Sequence, residues 1–296
     1  MWVGNMLEEK KTMMDYSVGN IATSDVITAS GEIYLIRRLA AGTAINLDKL
    51  MLISTQLYYN ILRNDTIVKR LMELKEKDEY TYTHSINTAV YSVLIGKWLH
   101  LSKVDTNNLI LSGLLHDIGK INIPNEILNK AGKYTEDEYR IMKLHPINGY
   151  EMLKTEASLD QNVKLAVLLH HERSDGSGYP YHFTEEKMNL YSRIIAFADV
   201  YDAMISERVY RKKMTPFEAF ELLLNNLKDQ FDWKIAHTFF TKYPAYLIGA
   251  TVQLSNGERG KIVHIPAEDI TNPIVMVGNR TIDFSKCQSV KIINIE

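Results

Sequence analysis

Residues 109–115, Leu-Ile-Leu-Ser-Gly-Leu-Leu, run directly into His116 and Asp117 and, three residues further on, into Lys120. An apolar run of this density reads as a core helix, yet burying an unpaired imidazole, carboxylate or ammonium at its end costs on the order of several kcal/mol. The conflict recurs twice. The apolar run 165–169 delivers His170, His171 and Glu172, and the run 194–198 delivers Asp199. His84 follows Tyr80-Thr81-Tyr82-Thr83 at an expected helix start, and His145 stands before Pro146, where proline disfavours continuing the α conformation. A lone histidine on an apolar helix is more often a hydrogen-bonded core residue than a ligand. Here five of the nine histidines sit beside such runs or helix ends, whereas His100, His182, His237 and His264 fall in ordinary surroundings. Clustering of that kind points to metal ligation.

The period of the apolar residues divides the chain into three. Residues 1–66 are mixed, with an expected strand-turn-strand at 25–35 around Ser30-Gly31 and helical spacing at 50–62. This stretch reads as a small accessory or regulatory unit. Residues 67–245 are helical in pattern. Thr135…Glu138 and Thr215-Pro216…Glu218 each match a capping box, and Asn107 or Asn108 and Asp160 are expected to cap two further helices. From 246 to 296 the period becomes two, with turns at Asn256-Gly257 and Gly278-Asn279 between strand-like segments that include 261–265 and 281–284. The expected architecture is mainly α: a helical bundle with a small N-terminal unit and a small β-rich C-terminal unit. The β unit carries no cluster of ligand-type residues and is expected to be dispensable for chemistry but not for assembly or solubility.

Composition narrows the partners. With 34 basic and 36 acidic side chains the net charge is −2, so no general positive field is present to hold a nucleic-acid polymer. An anionic ligand has to be caught locally. The single cysteine, Cys287, excludes an intramolecular disulfide and fits a reducing cytoplasm, and no apolar run has the length of a membrane span.

His84, His116-Asp117 and Asp199 resemble the defining pattern of the HD superfamily of metal-dependent phosphohydrolases, with Gly119-Lys120 completing its HD-x-GK form. His145-Pro146 and the stretch 170–180, His-His-Glu-Arg-Ser-Asp-Gly-Ser-Gly-Tyr-Pro, are similar to the HHExxDGxGYP signature of the HD-GYP subfamily, whose members hydrolyse cyclic di-GMP. The segment 198–204, followed by Arg208 and Arg211, also looks like that family, so the resemblance covers about 67–235. It implies an HD-type bundle holding two divalent cations. One would be taken by His84, His116, Asp117 and Asp199, the other by His145, His170, His171 and the second oxygen of Asp117.

The chemistry of a phosphodiester calls for such a set. Its leaving group is poor and its anionic centre repels hydroxide, whereas a water bridging two cations loses a proton readily and the cations clamp the phosphoryl oxygens. Imidazole and carboxylate ligands suit iron or manganese and leave zinc and nickel open. Lys120, about one helical turn beyond His116, is expected to reach a substrate phosphate. Arg208 and Arg211, three apart, either present two guanidinium forks to a second phosphate or form a solvated basic face with Lys212 and Lys213. Asp202 is expected to orient a ligand or hold a lysine, and Tyr179 to stack on guanine or to anchor its own loop. The resemblance allows diguanylate cyclase domains as partners at the GYP loop, and a homodimer is a further expected assembly.

Three readings stand at this point: a cyclic di-GMP phosphodiesterase, another HD phosphohydrolase acting on a nucleotide or hybrid cyclic dinucleotide, and a catalytically silent binding module. Some HD-GYP proteins carry a third metal held by a glutamate four residues before the histidine that matches His84. Here that position is Tyr80, a phenol that is neutral at physiological pH, which favours two metals and mainly linear pGpG as product, with slower cleavage to GMP.

Overall fold

The computed structural model describes residues 80–130, 132–206, 213–287 and 289–295. The strand-turn-strand expected at 25–35, the helix at 50–62, Arg208 and Arg211 lie outside the described residues. Within them the protein is mainly α with a small antiparallel sheet at its C-terminal end.

Helices α1 (Tyr80–Trp98) and α2 (Lys103–Leu115) pack together as a hairpin. Gly113 permits their approach, because a Cβ there would lie 2.5 Å from Ala89 Cα. The cap of α2 is Ser102, whose hydroxyl accepts the Asp105 N–H, so Asn107 and Asn108 sit inside the helix and do not cap it. The reason is visible in the burial: residues 102–104 are exposed and give no apolar period, so the periodic signal starts late, at Leu109. The helix also stops earlier than the sequence implies. α2 ends at Leu115, and residues Ile118–Asn122 form a 3₁₀ turn, so Lys120 is not on a continuing α-helix.

Next come α3 (Asn125–Leu128), α4 (Glu136–Met142), α5 (His145–Leu153) and α6 (Gln161–Leu169). The capping box at Thr135 and Glu138 and the Asp160 cap are both formed. Pro146 occupies the first turn of α5, where its missing N–H is harmless, so His145 begins a helix and does not end one. A small cluster of Ile123, Ile127 and Met142 ties α3 to α4.

α7 (Leu190–Ile205) is the central helix, packed against α1, α2, α6, α8 (Pro216–Asn226) and α9 (Trp233–Lys242). Its rings Phe197 and Tyr201 meet Tyr91 of α1, Phe220 of α8, and Phe239 and Tyr243 around α9, all fully or almost fully buried. Burial of each such side chain contributes roughly 1.5–3 kcal/mol. This aromatic core fixes α7 in rotation, and with it Asp199 and Asp202, which lie three apart on one face.

After α10 (Pro244–Leu247) come β1 (Thr251–Leu254), β2 (Arg259–His264), β3 (Ile274–Val277), β4 (Arg280–Asp283) and β5 (Ile292–Ile295). They form one antiparallel sheet in the order β4-β3-β2-β1-β5. Alternation points Val252, Leu254, Ile262, Val275, Ile282 and Ile292 inward, into the same apolar cluster as the helices. No described helix is long and apolar enough to cross a membrane.

Candidate metal centre

The ends of α2, α5, α6 and the middle of α7 converge beside His84 on α1. His116, at the C-terminal end of α2, directs Nδ1 at the Gly113 carbonyl, 2.7 Å away. His170, at the end of α6, does the same to Val167 at 2.8 Å, and His145, at the start of α5, to Met142 at 2.8 Å. In each case the carbonyl lies three residues back. A carbonyl only accepts, so each Nδ1 carries the proton, and in the neutral ring each Nε2 is left as a bare lone pair turned toward the centre. His84 is held by a carboxylate, with Nδ1 2.8 Å from Asp202 Oδ2. Asp202 also accepts from Asn87 Nδ2 at 2.9 Å and Ser206 Oγ at 3.0 Å. It orients a histidine, one of the two roles expected for it.

Two donor groups result. His84, His116 and Asp199 form one, and Asp117, His145, His170 and His171 the other, with the donor atoms of each group within 4.8 Å of one another. Asp117 faces both. Its Oδ2 is 3.3 Å from His116 Nε2 and 3.9 Å from His84 Nε2, while its Oδ1 is 3.2 Å from His145 Nε2 and 3.8 Å from His170 Nε2. Asp199 is divided in the same way, with Oδ1 3.0 Å from His84 Nε2 and Oδ2 3.9 Å from His171 Nδ1. All seven residues predicted as ligands are thus brought together.

The residues fit divalent cations on their own geometry. His116 Nε2 and Asp117 Oδ1 are buried without a hydrogen-bond partner. His145 Nε2 and His170 Nε2 face each other at 3.2 Å although both rings already donate through Nδ1. Two lone pairs at that separation repel unless a proton or a metal cation lies beside both, and orphaned buried acceptors cost roughly 1–3 kcal/mol each. An imidazole and carboxylate donor set of this kind is one that can hold a divalent transition metal.

The charges agree. Burial alone would raise the Asp117 carboxyl, but His116 and Lys120 beside it hold it well below the ordinary carboxylate range. Burial likewise opposes ionisation of Asp199, and His84 overcomes it. His170 and His171 are pushed well below the usual imidazole value by burial and by neighbouring histidines, which keeps them neutral and available as donors. His84 differs: burial works against protonating it, yet its hydrogen bonds to Asp199 and Asp202 prevail and lift it to about 9, so without a cation its Nε2 is protonated toward Asp199, and a bound metal ion would displace that proton.

Around this centre two glycines are dictated by contact. A Cβ on Gly119 would lie 1.9 Å from the His145 carbonyl oxygen, so the 3₁₀ turn after Asp117 presses directly on the first turn of α5. Gly178 has no more room, with Glu172 Cα at 2.4 Å from the same kind of added atom. Glu172 itself is fully buried and accepts the N–H groups of Tyr181 at 2.6 Å and Phe183 at 3.0 Å, so it secures the GYP loop and does not join the donor groups. Tyr179 stacks on His171, ring centroids 4.6 Å apart, which anchors one face of its ring within the protein. Lys120 Nζ reaches Asp117 Oδ2 at 2.5 Å. Sequence reading passed over Lys143 and Tyr139, which stand beside Tyr179; its only signal was proximity in the chain to His145.

Comparison with known proteins places this arrangement. The sequence model of the HD domain family matches residues 66–235. Over 218 residues the chain is 35% identical to cyclic di-GMP phosphodiesterase PA4108 of Pseudomonas aeruginosa, covering 74% of this chain and 52% of that protein. It is 37% identical over 156 residues to 3'3'-cGAMP-specific phosphodiesterase 3 of Vibrio cholerae, covering 53% of this chain and 34% of that protein. The chain therefore spans about half the length of the first relative and about a third of the second. In three dimensions it shares its fold with Bd1817, a HDG"Y"P protein from Bdellovibrio bacteriovorus, at a TM-score of 0.61 and 18% identity, covering 77% of this chain and 74% of that one.

Proposed function

This chain belongs to the HD domain family, within its HD-GYP subfamily, and on that premise we propose that it is a metal-dependent phosphodiesterase that hydrolyses cyclic di-GMP. The observation that carries the reading is the pair of facing Nε2 atoms of His145 and His170, 3.2 Å apart, set against an Asp117 carboxylate whose two oxygens address different donor groups. Two divalent cations, iron or manganese, would when bound supply a water nucleophile at neutral pH and neutralise charge on the phosphoryl oxygens. In this reading His84, His116 and Asp199 would hold one cation and His145, His170 and His171 the other, with Asp117 shared between them. The backbone carbonyls at Gly113, Met142 and Val167 fix the tautomers that turn Nε2 to the centre, and Asp202 orients the His84 ring so that its Nε2 faces the same place. Lys120, half-buried beside Asp117, offers its ammonium to the phosphate being cleaved. Tyr179 lines the approach through His171, and residues 67–245 act as the catalytic domain with 1–66 as an accessory unit.

Support for cyclic di-GMP comes from the Pseudomonas relative named for that activity, and for a second reading, a hybrid cyclic dinucleotide, from the Vibrio relative. Tyr80 at the position of a third ligand favours pGpG as the main product. The test is metal analysis of aerobically and anaerobically purified protein together with turnover of cyclic di-GMP and 3'3'-cGAMP. The expected result is about two metal ions per chain and preferential conversion of cyclic di-GMP to pGpG. Faster turnover of 3'3'-cGAMP would transfer the assignment to the hybrid substrate, and metal-loaded protein that cleaves neither would leave a binding module.

A further inference from the structure

Resting on that reading, we propose that Lys143 receives the second phosphate of a cyclic dinucleotide, the one not being cleaved. Such a ligand carries two phosphodiesters on opposite sides of its ring, and only one can occupy the centre. The other needs a cation outside the donor groups; Arg208 and Arg211, the forks expected for it from the sequence, lie outside the described residues, and Lys143 is the described cation placed for it. Lys143 follows Met142, whose carbonyl takes the His145 Nδ1–H, so the turn that aims His145 also sets the position of this lysine. Its Nζ lies 4.9 Å from the centroid of Tyr139 and 5.8 Å from that of Tyr179. Tyr179 in turn stacks on His171.

The place is on the open side of the centre. Of the seven clustered side chains His171 is the most exposed, at 20%, against 9% or less for the carboxylates and the other histidines. Lys143 is therefore one ring removed from the site, on the flank where a ligand enters. It also differs from the other half-buried lysines near by. Lys120 is paired with Asp117 and Lys130 with Glu138, whereas among the described residues no carboxylate pairs with Lys143, which rests on two aromatic faces. Rings hold an ammonium in place without neutralising it, which leaves the full charge for an incoming anion. Lys120 thus stands against Asp117, and Lys143, through Tyr179, on the His171 side of the centre.

The experiment compares wild type, Lys143→Ala and Lys143→Arg on cyclic di-GMP and on bis(p-nitrophenyl) phosphate, which has one phosphodiester only, with calorimetric binding of cyclic di-GMP to EDTA-treated protein as a second readout. The expected result for Lys143→Ala is a rise of about tenfold in KM and in Kd for cyclic di-GMP, with the effect on kcat much smaller and Lys143→Arg recovering most of the loss. The preference for cyclic di-GMP over the one-phosphate ester then falls by about the same factor. An equal loss on both esters, or an unchanged KM and Kd for cyclic di-GMP, overturns the role of Lys143 alone. A wild type that cleaves the one-phosphate ester but neither binds nor cleaves cyclic di-GMP overturns the substrate reading and this inference together.

Discussion

In the helical body the buried ends of α2 and α6 and the middle of α7 hold His116, His170 and Asp199, while in the C-terminal sheet the buried positions hold Val252, Leu254, Ile262, Val275, Ile282 and Ile292. The two regions share one apolar cluster. They differ in what else they bury: the sheet's ionic pairs, Arg280 with Glu258 and Lys286 with Asp283, lie at its surface, and no described titratable side chain of the sheet is buried. Packing alone accounts for the sheet. It does not account for His116 Nε2 and Asp117 Oδ1, which are buried acceptors that the protein leaves unanswered. Uncompensated polarity in a core is the physical mark that separates a working site from a structural region.

The sharpest way to break this comparison is Asp117→Ala. One carboxylate addresses both donor groups, so its loss is expected to release metal and lower phosphodiester hydrolysis by at least on the order of 10³-fold, the scale of removing a charge-stabilising group. Metal content and turnover measure it, and near-native turnover with metal retained would end the two-cation reading. Gly119→Ala should come next. The added Cβ would meet the His145 carbonyl oxygen at 1.9 Å, backbone against backbone, with no flexible side chain to yield. The expected cost is about 3 kcal/mol or more, a fall in Tm on the order of 10 °C, with weakened metal binding because the first turn of α5 must move. Thermal unfolding at wild-type Tm would show that the turn can relax.

How much of this was legible in the sequence depended on whether a signal was local. Runs such as 109–115 and 165–169 announced the helices that deliver His116 and His170, and the capping boxes at Thr135 and Thr215 formed as read. Where the decisive partner was local but weakly periodic, the reading slipped: Ser102 capped α2 in place of Asn107 or Asn108, and the 3₁₀ turn at Lys120 interrupted what seemed one helix. β5 went unseen because residues 292–295 are a four-residue strand with no turn signal of the strong type before it. Long-range partners could not be read at all. Asp202 meets His84 across 118 residues, and the reason Gly119 is glycine lies on α5.

Acid and alkali should separate the two regions further, in metal-stripped protein. His170 and His171 are depressed, so below the unfolded imidazole value near 6.5 the unfolded chain binds protons that the fold does not, and stability falls with falling pH. His84 is raised to about 9, so its contribution is complete below about 6.5 and is lost as pH rises through about 9. Asp117 and Asp199 are depressed and add a further loss only below their ordinary range near 3.8. Stability should therefore peak near pH 6.5 and fall more steeply on the acid side, where two histidines act, than on the alkaline side, where one does. Denaturant titrations of EDTA-treated protein from pH 5 to 9.5 measure this. Glu258 and Asp283 of the sheet are lowered by Arg280 and by Ser285, but they stand at the surface within reach of solvent and should add only a salt-sensitive background. A profile that flattens in high salt would trace the dependence to the surface and not to the centre.

The smallest effect expected is Gly257→Ala, the counterpart in the sheet of Gly119→Ala. Gly257 also has a reason to be glycine, but the reason is conformational: its φ is +86°, in the left-handed region, and an added Cβ would find nothing within 4 Å. Alanine there incurs the local backbone cost, about 1–2 kcal/mol, without collision. That corresponds to a Tm lower by a few degrees. The turn joins β1 to β2, whose register from Thr251 opposite Lys261 to Gln253 opposite Arg259 is held by the ladder on either side, so the strands should stay paired. Metal content and kcat should match wild type, since neither strand supplies a donor. If Gly257→Ala reduced metal binding as Gly119→Ala is expected to, the sheet would be coupled to the centre, and the two regions could no longer be treated as one packed and one working part of the same core.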